Sequence, residues 1–161
     1  MAKCVVIREM PSQNAVDYRH AIMSADIENG HVVSLEKLVD HDLWKAVAPT
    51  AVENLWLVTG VELMYDERKN ITNYVNVTGI PFRCERVLAG GTYAISVEGL
   101  TVAAPETDLV AGAAVIYTEG EDKLTVAAAA TGTVIGKVVE VYTKAGLKFA
   151  AIEFAKAAQN A

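Results

Sequence analysis

Glycine-containing turns divide this chain into short apolar runs along its whole length, and this feature constrains the fold most strongly. The runs between the turns are rich in Val, Ile, Tyr, Phe and Thr. Many short β-branched runs bounded by Gly, Asn and Pro are typical of a sandwich or a barrel. The sequence therefore predicts an all-β protein with a compact barrel-like or sandwich-like domain and little helix. The turn sequences are Asn29-Gly30, Thr59-Gly60, Thr78-Gly79-Ile80-Pro81, Gly90-Gly91, Glu119-Gly120 and Ala145-Gly146.

The apolar runs predict individual strands. The Asn29-Gly30 pair predicts a type I′ hairpin turn, which needs two residues with positive φ. Residues 147–159 fit both the helical and the strand period, which short runs do not separate. A closing strand over residues 148–154 is favoured there. The other predicted strands cover residues 3–9, 31–38, 43–47, 54–59, 92–97, 109–117, 124–127 and 134–143.

The length and the first residues indicate one domain with an N-terminal extension. A chain of 161 residues is long enough to bury a core without staples. The segment from Met10-Pro11 to residue 15 has turn chemistry and little to bury. We therefore expect an extended arm over residues 1–25 and a single β-rich domain over residues 26–161. We also expect the domain to stay folded without residues 1–19.

Composition excludes several classes of protein and partner. Hydrophobic residues make up 52% of the chain and charged residues 21%, which excludes a disordered chain. The 14 Lys and Arg against 20 Asp and Glu give a formal net charge of −6, and no basic cluster is present, so nucleic acid is not expected as a partner. No run approaches the ~20 apolar residues that cross a bilayer, and no signal-peptide pattern is found. We expect maturation in a reducing cytoplasm, with Cys4 and Cys84 as buried free thiols.

The sequence contains none of the common catalytic or ligand-binding motifs. A nucleophile elbow, a phosphate-binding glycine loop, a zinc-protease helix and a calcium loop are all missing. We therefore predict no catalytic, cofactor-binding or metal-binding residues, no cofactor and no enzymatic activity. His20 and His31 are isolated, and Asp40-His41-Asp42 is interpreted as a solvated loop. A pocket that gathered His41, Asp42 and another polar group would instead indicate a small hydrolase.

Aromatic and charged side chains leave binding functions open. Exposed together, Trp44, Trp56 or Tyr93 would form a stacking platform for sugar, whereas buried rings would belong to the core. Residues 65–70 are interpreted as a solvated turn, or as a contact surface in which Tyr65 and Arg68 are the useful residue types. Residues 83–86 alternate charged and apolar side chains, which predicts a strand with one face towards water or a partner.

Six segments, taken in order, carry a resemblance to a known family. They are residues 4–11 (CVVIREMP), 14–19 (NAVDYR), 25–35 (ADIENGHVVSL), 65–68 (YDER), 82–86 (FRCER) and 132–139 (GTVIGKVV). This ordered pattern resembles the auxiliary capsid proteins of tailed bacteriophages, which are decoration or cement proteins of the expanded head.

The resemblance implies a structural virion protein without enzymatic activity. Such a protein is made in the host cytoplasm, binds the major capsid protein on the outside of the expanded capsid, and stabilises the shell. The resemblance also implies a homo-oligomer, with a trimer favoured, and an N-terminal arm that engages the capsid lattice. The alternative is a carbohydrate-binding or host-attachment module on the virion surface. The candidate interface residues are Arg8, Met10, Pro11, Tyr18, Arg19, Tyr65 and Arg68.

Overall fold

The computed structural model describes residues 3–8, 17–60, 71–87 and 89–155, which form twelve strands and three short 3-10 helices. The fold is mainly β, as the sequence predicts. The 3-10 helices are Val52–Asn54, Ile71–Asn73 and Val97–Gly99. The strands are β1 (Val6–Arg8), β2 (Tyr18–Ile22), β3 (Val32–Asp40), β4 (Leu43–Val47), β5 (Trp56–Val58), β6 (Phe82–Arg86), β7 (Thr92–Ser96), β8 (Leu100–Val102), β9 (Ala114–Tyr117), β10 (Leu124–Ala127), β11 (Thr133–Lys144) and β12 (Leu147–Phe154).

Five strands close a small barrel in the order β2-β4-β3-β5-β6. Its pairs are antiparallel except β2 with β4, which run parallel, and β2 completes the ring by pairing with β6. The inside of the barrel is filled by Ala21, Ile27, Val33, Leu35, Ala46, Trp56, Val58, Phe82 and Cys84.

The other seven strands form a sheet in the order β1-β7-β12-β11-β9-β10-β8. A second core lies between this sheet and the barrel, and it includes Val32 and Leu57 from the barrel with Ile95, Leu124 and Ile152 from the sheet. Successive strand residues point to opposite faces. Strand β5 therefore places Trp56 and Val58 inside the barrel and Leu57 against the sheet, which joins the two layers into one body.

The C-terminal segment is a strand, as favoured from the sequence. Strand β12 pairs antiparallel with β11 on one side and with β7 on the other. Phe149, Ile152 and Phe154 are buried on its two faces. Pairing on both edges decides the conformation that local periodicity leaves open.

The type I′ turn lies at a different position from the one predicted. At Asn29-Gly30 only Gly30 has a positive φ, 84°, and the His31 amide donates to the Glu28 carbonyl at 3.4 Å. Gly30 is the third residue of the four-residue turn from Glu28 to His31, and a positive φ at the third residue alone is typical of a type II turn. Ala145 and Gly146 instead have φ of 51° and 81° between β11 and β12, as a type I′ turn requires. The predicted Asn29-Gly30 hairpin is therefore wrong.

Two segments of the predicted arm belong to the folded body. Cys4 and Val5 are buried, and β1 pairs with β7. Strand β2 is one of the five strands of the barrel. Cys4 and Val6 pack in the second core, and Val5 packs with Ala94 and Phe149. Removal of residues 1–19 would take these groups away, so we expect the truncated chain to lose stability rather than remain a folded domain.

Candidate functional site

The predicted contact residues are only partly placed by the structure. Tyr18 and Arg19 lie in β2, and Arg8 ends β1 opposite Tyr93. The remaining four predicted residues lie outside the described residues: Met10, Pro11, Tyr65 and Arg68.

Strand β3 continues beyond its pairing with β5 and stays paired with β4, whose residues 43–45 also pair with β2 in the barrel. We call residues 36–45 the β3–β4 ribbon. Five consecutive residues of β3, 36–40, are exposed, and the pairing with β4 shifts register at two points, between Leu35 and Lys37 and between Leu38 and Asp40. Strand β3 pairs with β5 only at Val32 and Val33. Within the part of the chain that the structure describes, the outer edge of residues 36–40 therefore has no strand partner.

The ribbon presents apolar side chains beside charged ones. Leu38 is 50% exposed and Val39 is 54% exposed. Leu38 pairs with Trp44 across the hairpin, and directly opposite residues share a face. The Arg19 guanidinium lies 5.9 Å from the centroid of the Trp44 ring, within the range of a cation–π contact. Arg19, one of the predicted contact residues, therefore lies against Trp44, and Trp44 is paired with Leu38.

The tip of the ribbon carries the acidic-histidine sequence noted above. His41 is 96% exposed and its Nε2 lies 3.6 Å from Asp40 Oδ1, and Asp42 Oδ2 lies 3.4 Å from His20 Nδ1. His20, Asp40, His41 and Asp42 all have side chains that are more than half exposed, so the tip has the geometry of a solvated turn. The described residues also contain no group of three or more His, Cys, Asp or Glu placed to hold a metal ion.

The aromatic side chains do not form a common platform. Trp56 and Tyr93 are buried, and the Trp56 Nε1 donates to Asn54 Oδ1 at 3.0 Å. Trp44 is partly buried against the barrel core beneath Arg19. The three rings therefore serve packing and hydrogen bonding, and the exposed ring of this region is that of Tyr18, at 56%.

A polar cavity of about 270 Å³ lies between the barrel and the seven-stranded sheet. One of its lining groups is the Glu85 carboxylate, whose side chain is only 9% exposed. The Tyr93 hydroxyl donates to Glu85 Oε2 at 2.8 Å, and Arg83 Nη2 lies 3.7 Å from Oε1. The cavity is lined by Val6, Asn29, Thr59, Gly60, Arg83, Glu85 and Tyr93.

Strand β2 places two rings on the barrel face that carries Arg83 and Glu85, although neither ring is among the residues that line the cavity. Tyr18 lies directly opposite Glu85, and His20 lies opposite Arg83, so these four side chains share the outward face of the barrel. The Tyr18 and His20 rings meet edge to face with centroids 6.1 Å apart. The alternation in residues 83–86 predicted such a face, but its convergence with Tyr93 and Asn29 arises from packing of the two sheets.

A buried amide network supports the cavity wall. Asn29 Oδ1 accepts from the Gly60 amide at 2.8 Å and from Asn76 Nδ2 at 3.0 Å. Asn29 Nδ2 donates to the Gly60 carbonyl at 3.1 Å, and Asn76 Nδ2 also donates to the Ile27 carbonyl. Reciprocal hydrogen bonds of this kind fix both backbone and side chains, so this wall of the cavity is preorganised.

The two cysteines are free and buried, as predicted. Burial raises the pKa of Cys4 and of Cys84 to about 12. Because the thiolate is the reactive form, both thiols stay neutral and act as small apolar side chains.

Comparisons with known proteins add no family. No protein-family model matches the chain, and a search of curated proteins finds no significant match. Among the described residues, no helix is long and apolar enough to cross a membrane.

Proposed function

We propose that this protein is a structural virion protein that binds the outside of an expanded tailed-bacteriophage capsid and stabilises it. The β3–β4 ribbon is the observation that carries the proposal. A protein that binds the expanded shell more tightly than its precursor stabilises the expanded form by mass action. The proposed partner is the major capsid protein, and the proposed location is the capsid exterior.

The ribbon has the properties of a contact element. Leu38 and Val39 expose apolar surface. Covering this surface with a partner would remove it from water and so stabilise the complex. The unpaired edge of residues 36–40 can accept an extended segment of a partner as an added strand. The two register shifts and the charged side chains of Glu36 and Lys37 limit uncontrolled pairing of edges.

Repetition on a shell would amplify a modest contact. A homo-oligomer, for which we propose a trimer, presents several ribbons to a lattice at once. Linked contacts raise the overall affinity by about 10²–10⁴ without any new contact when the geometry allows simultaneous binding. Individual ribbons therefore need only weak affinity, in keeping with two exposed apolar side chains and a short strand edge.

The test is co-sedimentation of the purified protein with empty heads in the expanded and the precursor form. We expect binding to expanded heads, with an increase in the melting temperature of the shell. The double variant Leu38→Ser, Val39→Ser should reduce binding at least tenfold. The matched control Val110→Ser, Val134→Ser removes two other exposed valines and should bind normally. Equal binding to both head forms, or no binding to either, would refute the proposal.

A further inference from the structure

We propose that the cavity between the barrel and the seven-stranded sheet binds a neutral polyhydroxylated ligand of monosaccharide size, with the Tyr18 ring packing against the apolar face of that ligand. This function is additional to capsid binding, and it uses residues outside the β3–β4 ribbon.

The charges of the cavity favour a neutral ligand. Glu85 and Arg83 lie 3.7 Å apart, so the cavity holds one negative and one positive group side by side. That distance exceeds hydrogen-bond length, so the two groups form an ion pair without a hydrogen bond between Arg83 Nη2 and Glu85 Oε1. A cation would meet the guanidinium, and an anion would meet the carboxylate. Neighbouring hydroxyl groups can donate to Oε1 and accept from Arg83 together, because each hydroxyl is both donor and acceptor.

In the proposed site the Tyr18 ring, which lies outside the cavity lining, packs against the part of the ligand that extends from the cavity. It stands opposite Glu85 on the same face of the barrel and is 56% exposed. A sugar ring has one face dominated by C–H groups, which pack on an aromatic ring while its hydroxyls reach polar groups. The edge-to-face contact with His20 restricts the Tyr18 ring, and such aromatic pairs are worth about 0.5–1.5 kcal/mol beyond their buried area.

The size and rigidity of the cavity fit a small ligand. Its volume of about 270 Å³ is just below the range of about 300–1,000 Å³ for drug-sized ligands. The Tyr93 hydroxyl holds the Glu85 carboxylate, and the Asn29 network holds Gly60. Groups that are locked before binding lose little entropy on binding.

The test is titration of the free protein by NMR with glucose, galactose, mannose and N-acetylglucosamine, each up to about 100 mM, which detects millimolar affinity. Glycine, arginine and phosphate serve as zwitterionic, cationic and anionic comparison compounds. We expect at least one sugar to bind with shifts centred on Tyr18, Arg83 and Glu85. Binding should weaken at least tenfold in Tyr18→Ala, whose exposed position leaves the fold intact, and in Glu85→Gln.

Leu38→Ala is the matched control, because Leu38 is similarly exposed but lies in the ribbon. It should bind the sugar as the natural chain does. The proposal is overturned if no sugar binds, if a charged compound binds more tightly than every sugar, or if Tyr18→Ala and Glu85→Gln leave the affinity unchanged. The sugar titration uses no phage capsids. Failure of sugar binding is therefore distinguished from failure of capsid binding.

Discussion

His31 and Asp122 connect the barrel to the seven-stranded sheet through a bond of 2.9 Å between His31 Nδ1 and Asp122 Oδ2. His31 precedes β3, and Asp122 precedes β10. The Asp122 carbonyl also accepts from the Val32 amide at 2.7 Å. Because a carboxylate only accepts, the neutral ring donates from Nδ1. Its Nε2 is then buried without a hydrogen-bond partner among the described residues.

This arrangement makes folding sensitive to pH. Burial lowers the pKa of His31, and nearby Lys123 acts in the same direction, while Asp122 and Glu28 oppose the change without reversing it. The unfolded chain therefore binds a proton at higher pH than the folded chain does. The contribution of neutral His31 to the free energy of unfolding should be fully present above about pH 6.5, the pKa of an unfolded histidine. It should decrease as the pH drops through and below that value.

Urea unfolding between pH 7.5 and 5.0 measures the effect. We expect the free energy of unfolding to decrease towards pH 5, and we expect His31→Asn to flatten that decrease. His41→Asn is the control, because His41 is exposed at the ribbon tip and its replacement should leave the slope unchanged. An equal slope in the natural chain and His31→Asn would contradict the assignment.

Gly60 is required for steric reasons. A Cβ atom there would lie within van der Waals overlap of Asn76 Oδ1, the amide that bonds Asn29. Gly60→Ala should therefore cost about 1–3 kcal/mol through overpacking. Gly79→Ala separates space from backbone strain, because Gly79 has open space but a φ of +74°. Thermal unfolding should show a lower melting temperature for Gly60→Ala than for the natural chain. The NMR signals of Asn29 and Asn76 should shift in Gly60→Ala, because the cavity wall is disturbed, and should not shift in Gly79→Ala.

Ala145 occupies a backbone conformation that favours another residue. Its φ of 51° lies in the left-handed region, which costs a residue with a Cβ roughly 1–2 kcal/mol, and Asn-Gly is the preferred type I′ pair. Ala145→Asn should raise the stability by about 0.5–1 kcal/mol. Ala111→Asn, in an exposed turn without positive φ, should have little effect. A melting temperature that falls in Ala145→Asn would contradict the turn assignment.

The positions of several strands were predictable from local composition. The predicted range 43–47 coincides with β4 and 124–127 coincides with β10, since both are short β-branched or apolar runs. Strand β2 was missed because His20 and Arg19 interrupt its apolar pattern, and its parallel pairing with β4 is a long-range choice. The cavity was not predictable for the same reason, because Asn29, Glu85 and Tyr93 meet only when the sheets pack.

The Tyr93–Glu85 bond is a further polar connection between sheet and barrel. Tyr93→Phe keeps the ring but leaves Glu85 Oε2 without its donor in a buried site. Losing a hydrogen bond to a charged group should cost about 1.5–3 kcal/mol. Tyr117→Phe is the matched control, because the Tyr117 hydroxyl is buried without a hydrogen-bond partner in the described part of the chain, and removing such a group should be neutral or stabilising. Urea unfolding at pH 7 measures both variants. Equal losses in the two would mean that the Glu85 carboxylate gains nothing from Tyr93.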